Sequence, residues 1–124
     1  MKQQKWFRNI AVFSLAILGF FAIFVRPHRA LADSPRVIEI TVKRFEFTPN
    51  KITLKKGETV TLRLNSADVT HGFFLRPLRI DAVIAPDKPT DATVTPETAG
   101  TFTTICDHFC GVNHGNMKMT IVVE

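Results

Sequence analysis

The chain lacks acid in the same stretch that carries its excess of base. Residues 1–32 hold Lys2, Lys5, Arg8, Arg26 and Arg29 and no Asp or Glu. The 92 residues that follow balance 11 basic against 11 acidic side chains. The net charge of +5 therefore belongs to the N-terminal segment. It implies no nucleic-acid partner for the rest. A helical period of useful length is missing after residue 33, which argues against folds that alternate strands with helices. Internal repeats and low-complexity tracts are absent, which excludes solenoids and compositionally disordered chains. Cysteine is scarce, so two thiols allow one disulfide at most. Tryptophan occurs once, as Trp6, and the region beyond residue 32 has none.

The first 32 residues read as a targeting segment, a signal peptide or a membrane anchor. Lys2, Lys5 and Arg8 form a basic head, and Ile10 to Val25 is a run of 16 residues without a charge. As a helix that run spans about 24 Å at about 1.5 Å per residue, against a hydrocarbon core about 30 Å thick. Ala30-Leu31-Ala32 before Asp33 has the small-x-small pattern of a cleavage site. Arg26 and Arg29 suit the outer end of a retained helix. Both readings leave the basic head inside. They export residues 33–124 to the periplasm or to the outer face of the cytoplasmic membrane.

Residues 33–124 read as one all-β domain. Ile38, Ile40 and Val42 alternate with Glu39, Thr41 and Lys43, the period of a half-buried strand. Phe45, Phe47, Ile52 and Leu54 continue apolar character around the turn Thr48-Pro49-Asn50. Lys55-Lys56-Gly57-Glu58 is a second turn, and Val60, Leu62 and Leu64 alternate beyond it. Pro77, Pro86, Pro89 and Pro96 break the middle into short pieces. Ala92 and Val94 suggest another strand, Gly100 to Ile105 a further one, and Met119 to Val123 the last. Short strands spaced by Gly and Pro predict a β-sandwich, with phenylalanines filling its core.

The chemistry concentrates in Cys106-Asp107-His108-Phe109-Cys110-Gly111-Val112-Asn113-His114-Gly115-Asn116-Met117. Two thiols, imidazole and a thioether fall within one loop, and His71 lies upstream in Asp68-Val69-Thr70-His71. Thiolate and thioether are soft ligands and imidazole is borderline. The mixture selects copper over magnesium or calcium, which want oxygen. A structural disulfide is the plain alternative in an exported domain. It gives no reason for His114 and Met117 at these spacings. A mononuclear blue copper site needs one Cys, two His and a weak Met, and would leave one thiol over.

The pattern C-x-x-x-C-G-x-x-H-x-x-M with an upstream D-V-x-H resembles the cupredoxin domain of cytochrome c oxidase subunit II, which carries the dinuclear CuA centre. Nitrous oxide reductase has a similar centre. Lys51 to Val60 resembles the cupredoxin strand–turn–strand, and Asp81-Ala82 sits where the oxidase subunits often carry that pair. The resemblance implies a Greek-key sandwich binding two copper ions. Cys106 and Cys110 would bridge them, with His71 on one copper and His114 on the other. Met117 would be a weak axial ligand, and the main-chain carbonyl of His108 the other. It implies one-electron transfer from a cytochrome c-like donor to an oxidase or reductase. Bridging thiolates must be reduced, so an oxidising compartment implies a copper-delivery or thiol-reducing partner.

Departures from the family leave two other roles open: a stand-alone copper carrier and a mononuclear electron carrier. The oxidase domains use a tract with Trp as the electron entrance, and this domain has no Trp. His108 stands where the oxidases often have Glu. Phe73, Phe74 and Phe109 flank the candidate ligands and are expected to keep water out.

Overall fold

Alternation along β1 (Arg36–Lys43) turns Ile40 and Val42 inward and leaves Glu39, Thr41 and Lys43 outside. The same period runs through β4 (Val60–Ser66), where Val60, Leu62 and Leu64 are fully buried. It recurs in β9 (Lys118–Val123), where Met119, Ile121 and Val123 are buried. These strands belong to a computed structural model that describes residues 34–124. The expected signal peptide or anchor over residues 1–32 lies outside the described residues. Among the described residues no helix is long and apolar enough to cross a membrane.

The other strands are β2 (Glu46–Thr48), β3 (Lys51–Leu54), β5 (His71–Leu75), β6 (Ile80–Ile84), β7 (Thr90–Val94) and β8 (Gly100–Ile105). They form two sheets, ordered β2-β1-β4-β7 and β3-β9-β8-β5-β6. β1 pairs with β4 and β3 with β9 in parallel, and every other pairing is antiparallel. The chain crosses from one sheet to the other after β2, β3, β4, β6 and β7, giving the cupredoxin-like Greek-key sandwich that the resemblance implies. Phe47 of one sheet meets Phe73 of the other edge to face, with centroids 5.6 Å apart. Each fully buried Ile, Leu or Val between the sheets contributes about 1.5–3 kcal/mol.

One strand escapes the alternation rule. β5 reads His-Gly-Phe-Phe-Leu, and four of its five residues are buried. A strand covered on both faces shows no period of two. β6 follows through a 3-10 turn at Arg76–Leu78, closed by Arg79 in the left-handed region (φ 55°, ψ 38°). Pro77 opens that turn, and Pro86, Pro89 and Pro96 all fall between strands.

This topology assembles the site. β5 and β8 are neighbours, with Phe74 opposite Ile105. The first residue of β5 is His71, and the residue after β8 is Cys106. The segment from Cys106 to Met117 bridges β8 and β9, closing on itself where the Cys106 N–H reaches the Met117 carbonyl at 3.4 Å.

Candidate metal centre

Donor atoms of His71, Cys106 and Cys110 all lie within 4.8 Å of one another, and all three residues are buried. The two sulfurs are 3.7 Å apart. A disulfide requires about 2.05 Å, so these are free thiols. His71 Nδ1 is 4.0 Å from Cys106 Sγ. The Cys110 thiol donates to Met117 Sδ at 3.4 Å, and Met117 is fully buried. The Cys106 thiol donates to the His108 carbonyl at 3.1 Å. One thioether, one imidazole and one carbonyl oxygen thus surround the paired sulfurs.

His114 begins a 3-10 turn, His114–Asn116. It stands outside the group of mutually close donors. Its Nδ1 is buried without a hydrogen-bond partner, a costly state for a ring nitrogen unless a ligand fills it. The imidazole of His108 is exposed, and only its carbonyl faces the sulfurs. Met119 is a buried strand residue, as its position in β9 implies. His28 lies outside the described residues.

The orientation of the His71 ring follows from its neighbour. Its Nε2 is 2.7 Å from Asp68 Oδ1. Burial alone would raise the Asp68 carboxyl. Hydrogen bonds from the Arg44 N–H, the His71 ring and the Val69 N–H outweigh that and hold it at about 2. A carboxylate only accepts, so Nε2–H donates to it and Nδ1 is the ring nitrogen turned toward the thiols. Cys110 shifts the other way: burial, then the adjacent Cys106 thiol, pushes it up to about 11. A buried thiol with so high a pKa becomes a thiolate at neutral pH when a metal displaces its proton.

Gly72 lets β5 approach this turn. Its N–H donates to Cys106 Sγ at 3.4 Å. A Cβ there would stand 2.0 Å from Asp107 Oδ1 and 2.8 Å from the His108 nitrogen. Neither Gly72 nor the supporting role of Asp68 is visible in the ligand pattern. The signal for Asp68 is its place three residues before His71 in Asp-Val-Thr-His.

The phenylalanines correct one expectation. Phe73 is fully buried in the core and Phe74 half-buried, but Phe109 is 72 % exposed. Its ring meets His114 edge to face at 5.3 Å, and most of it faces solvent. A larger cleft, about 420 Å³, lies beyond the far end of β5 between Pro77–Arg79 and Thr93–Thr98. It holds no cluster of metal-ligating groups.

A two-sheet sandwich gathering two thiols, imidazole and a thioether at one end is the construction of a soft-metal protein. The profile of the cupredoxin-like domain matches residues 14–123, and the chain belongs to that family. It is 32% identical over 80 residues to cytochrome c oxidase subunit 2 of Thermus thermophilus, covering 64% of this chain and 59% of that one. It is 31% identical over 91 residues to the nitrous-oxide reductase of Cupriavidus necator, covering 70% of this chain and 14% of that one. The chain therefore spans less than two thirds of the length of these curated relatives. The periplasmic domain of cytochrome oxidase subunit II from Bradyrhizobium japonicum shares the fold, with a TM-score of 0.66 at 18% identity over 72% of this chain and 83% of that one.

Proposed function

We propose that this chain is an exported one-electron carrier built around a dinuclear CuA-type copper centre. Cys106, Cys110, His71 and His114 would hold it. Met117 and the His108 carbonyl would serve as weak ligands. The observation that carries the reading is the unbonded sulfur pair at 3.7 Å with imidazole, thioether and carbonyl oxygen arranged around it. Donor softness fits copper. The orphaned, buried His114 nitrogen fits a ligand role.

Bound there, a dicopper unit would take up and return one electron spread over both metals and both sulfurs. The residues of the chain do the rest. Asp68 fixes the ring and tautomer of His71. The Gly72 N–H supports the charge on Cys106. The buried surroundings of Cys106, Cys110 and Met117 limit water at the sulfurs, which raises the cost of changing charge there and so sets the potential. A second thiol beside the first favours this reading over a mononuclear site, which uses one Cys. The donor is a cytochrome c-like protein and the acceptor an oxidase or reductase. A dithiol reductant or copper-delivery partner keeps the sulfurs reduced for loading.

Absorption of the copper-loaded protein tests this against a copper carrier. A purple chromophore with two coppers held against a competing chelator supports it. A single copper that gives a blue chromophore, or that is surrendered readily, refutes it.

A further inference from the structure

We infer that the β1–β2 turn at Arg44–Phe45 is a clasp, a positioning element that holds the two halves of the metal centre in register. It deepens the metal-centre reading above and rests on it for its consequence in electron transfer. Neither residue belongs to the ligand pattern, and neither offers a soft donor. Both nevertheless reach the site, each toward a different ligand segment.

The first contact runs to His71. The Arg44 N–H donates to Asp68 Oδ2 at 2.8 Å, while Oδ1 of the same carboxylate holds His71 Nε2 at 2.7 Å. The second runs to the cysteine loop. A Cβ built on Gly111 would stand 2.8 and 2.9 Å from Phe45 Cε1 and Cζ. The ring of Phe45 therefore lies directly on the Gly111 backbone, one residue from Cys110. Gly111 has φ +142°, a conformation that suits glycine. Phe45 is half-buried and packs against the core. The turn itself is anchored, since Lys43 pairs with Glu46 across β1 and β2 and their side chains form an ion pair at 3.0 Å.

The ligands His71 and Cys110 belong to β5 and to the β8–β9 segment, which are parts of one sheet. Arg44 and Phe45 connect strands of the other. The clasp thus ties both ligand segments to the opposite sheet. An electron carrier gains from this, because ligands held from two sides relax less when the charge on the sulfurs changes. Metal loss also slows, because Cys110 cannot swing out without displacing the Phe45 ring.

The test compares Phe45→Ala and Phe45→Leu with the wild-type full chain. Val94→Ala serves as a control, being a buried core truncation that pairs with Val60 at the end of the sheet away from the site. Two readouts are taken: transfer of copper(I) to bathocuproine disulfonate, and alkylation of Cys110 by iodoacetamide in the copper-free protein at fixed pH. Phe45→Ala should speed both by roughly tenfold, the factor that corresponds to about 1.4 kcal/mol. Phe45→Leu should restore most of the difference, and Val94→Ala should change neither despite lost stability. Wild-type rates in Phe45→Ala, or equal acceleration in Val94→Ala, overturn the clasp. If the wild type binds no copper, the proposed function fails, and the alkylation rates still decide the clasp.

Discussion

Replacing Asp68 with Asn should destabilise the copper-free protein by about 2 kcal/mol at neutral pH. The carboxylate accepts from the Arg44 N–H at 2.8 Å, the Val69 N–H at 2.7 Å and His71 Nε2 at 2.7 Å. An amide keeps one acceptor oxygen and turns an NH₂ against one of these donors. Asp68 is held at about 2 against an ordinary 3.8, and each pKa unit corresponds to about 1.36 kcal/mol. The side chain is 30% exposed, so water recovers part of the loss and about 2 kcal/mol remains. The sign follows from the lowered pKa: the contribution is complete above about pH 4 and disappears as pH falls through about 2. Urea unfolding followed by circular dichroism, the domain having no tryptophan, measures the gap between wild type and variant. It should stay level from pH 7 to about pH 5 and close below pH 4. A domain of this size shifts its melting temperature by about 4–8 °C per kcal/mol, so the gap at pH 7 corresponds to about 8–16 °C. A variant as stable as the wild type at pH 7, or a gap unchanged near pH 2, would refute the reasoning.

Cys110→Ser should abolish the dinuclear absorption and leave the sandwich folded, because the buried core does not need metal; near-native circular dichroism without the chromophore is the expected result, and a chain that unfolds on losing metal would mark the site as structural. Air-oxidised protein should take up no copper until a dithiol is added, which metal analysis before and after reduction checks. Gly111→Ala should cost about 1–3 kcal/mol, since φ +142° disfavours any side chain and the new Cβ meets the Phe45 ring; denaturant titration measures it. Met117→Ala should cost about 2–5 kcal/mol as a buried truncation, and should also move the reduction potential of the loaded protein, which voltammetry reads.

The two-sheet fold was legible wherever one face of a strand meets water. Ile40 and Val42 in β1 and Leu62 and Leu64 in β4 alternate with polar neighbours, and all of them are buried. β5 was not legible in this way, because covering both faces erases the period, and its His-Gly-Phe-Phe-Leu reads as a plain apolar run. The candidate loop stood out in the sequence through the donor types of Cys106, Cys110, His114 and Met117, and the fold brings Cys106, Cys110 and Met117 together while His114 stands outside the group of mutually close donors. What the loop could not announce was its support. Asp68, Gly72 and Phe45 act through distance and shape: a carboxylate behind a ring, a missing Cβ and an aromatic face on a glycine. Those relations exist only after the sheets have brought residues 44, 68, 72 and 111 together. Phe109 shows the reverse error, since an aromatic beside a ligand in sequence points into solvent in space.

Electron paramagnetic resonance of the copper-loaded protein, with copper counted on the same sample, tests the central claim most directly. The account predicts two coppers per chain and one unpaired electron whose hyperfine splitting comes equally from both nuclei. Splitting from a single copper nucleus, or an oxidised protein whose Cys106 and Cys110 are joined to each other without metal, would contradict it.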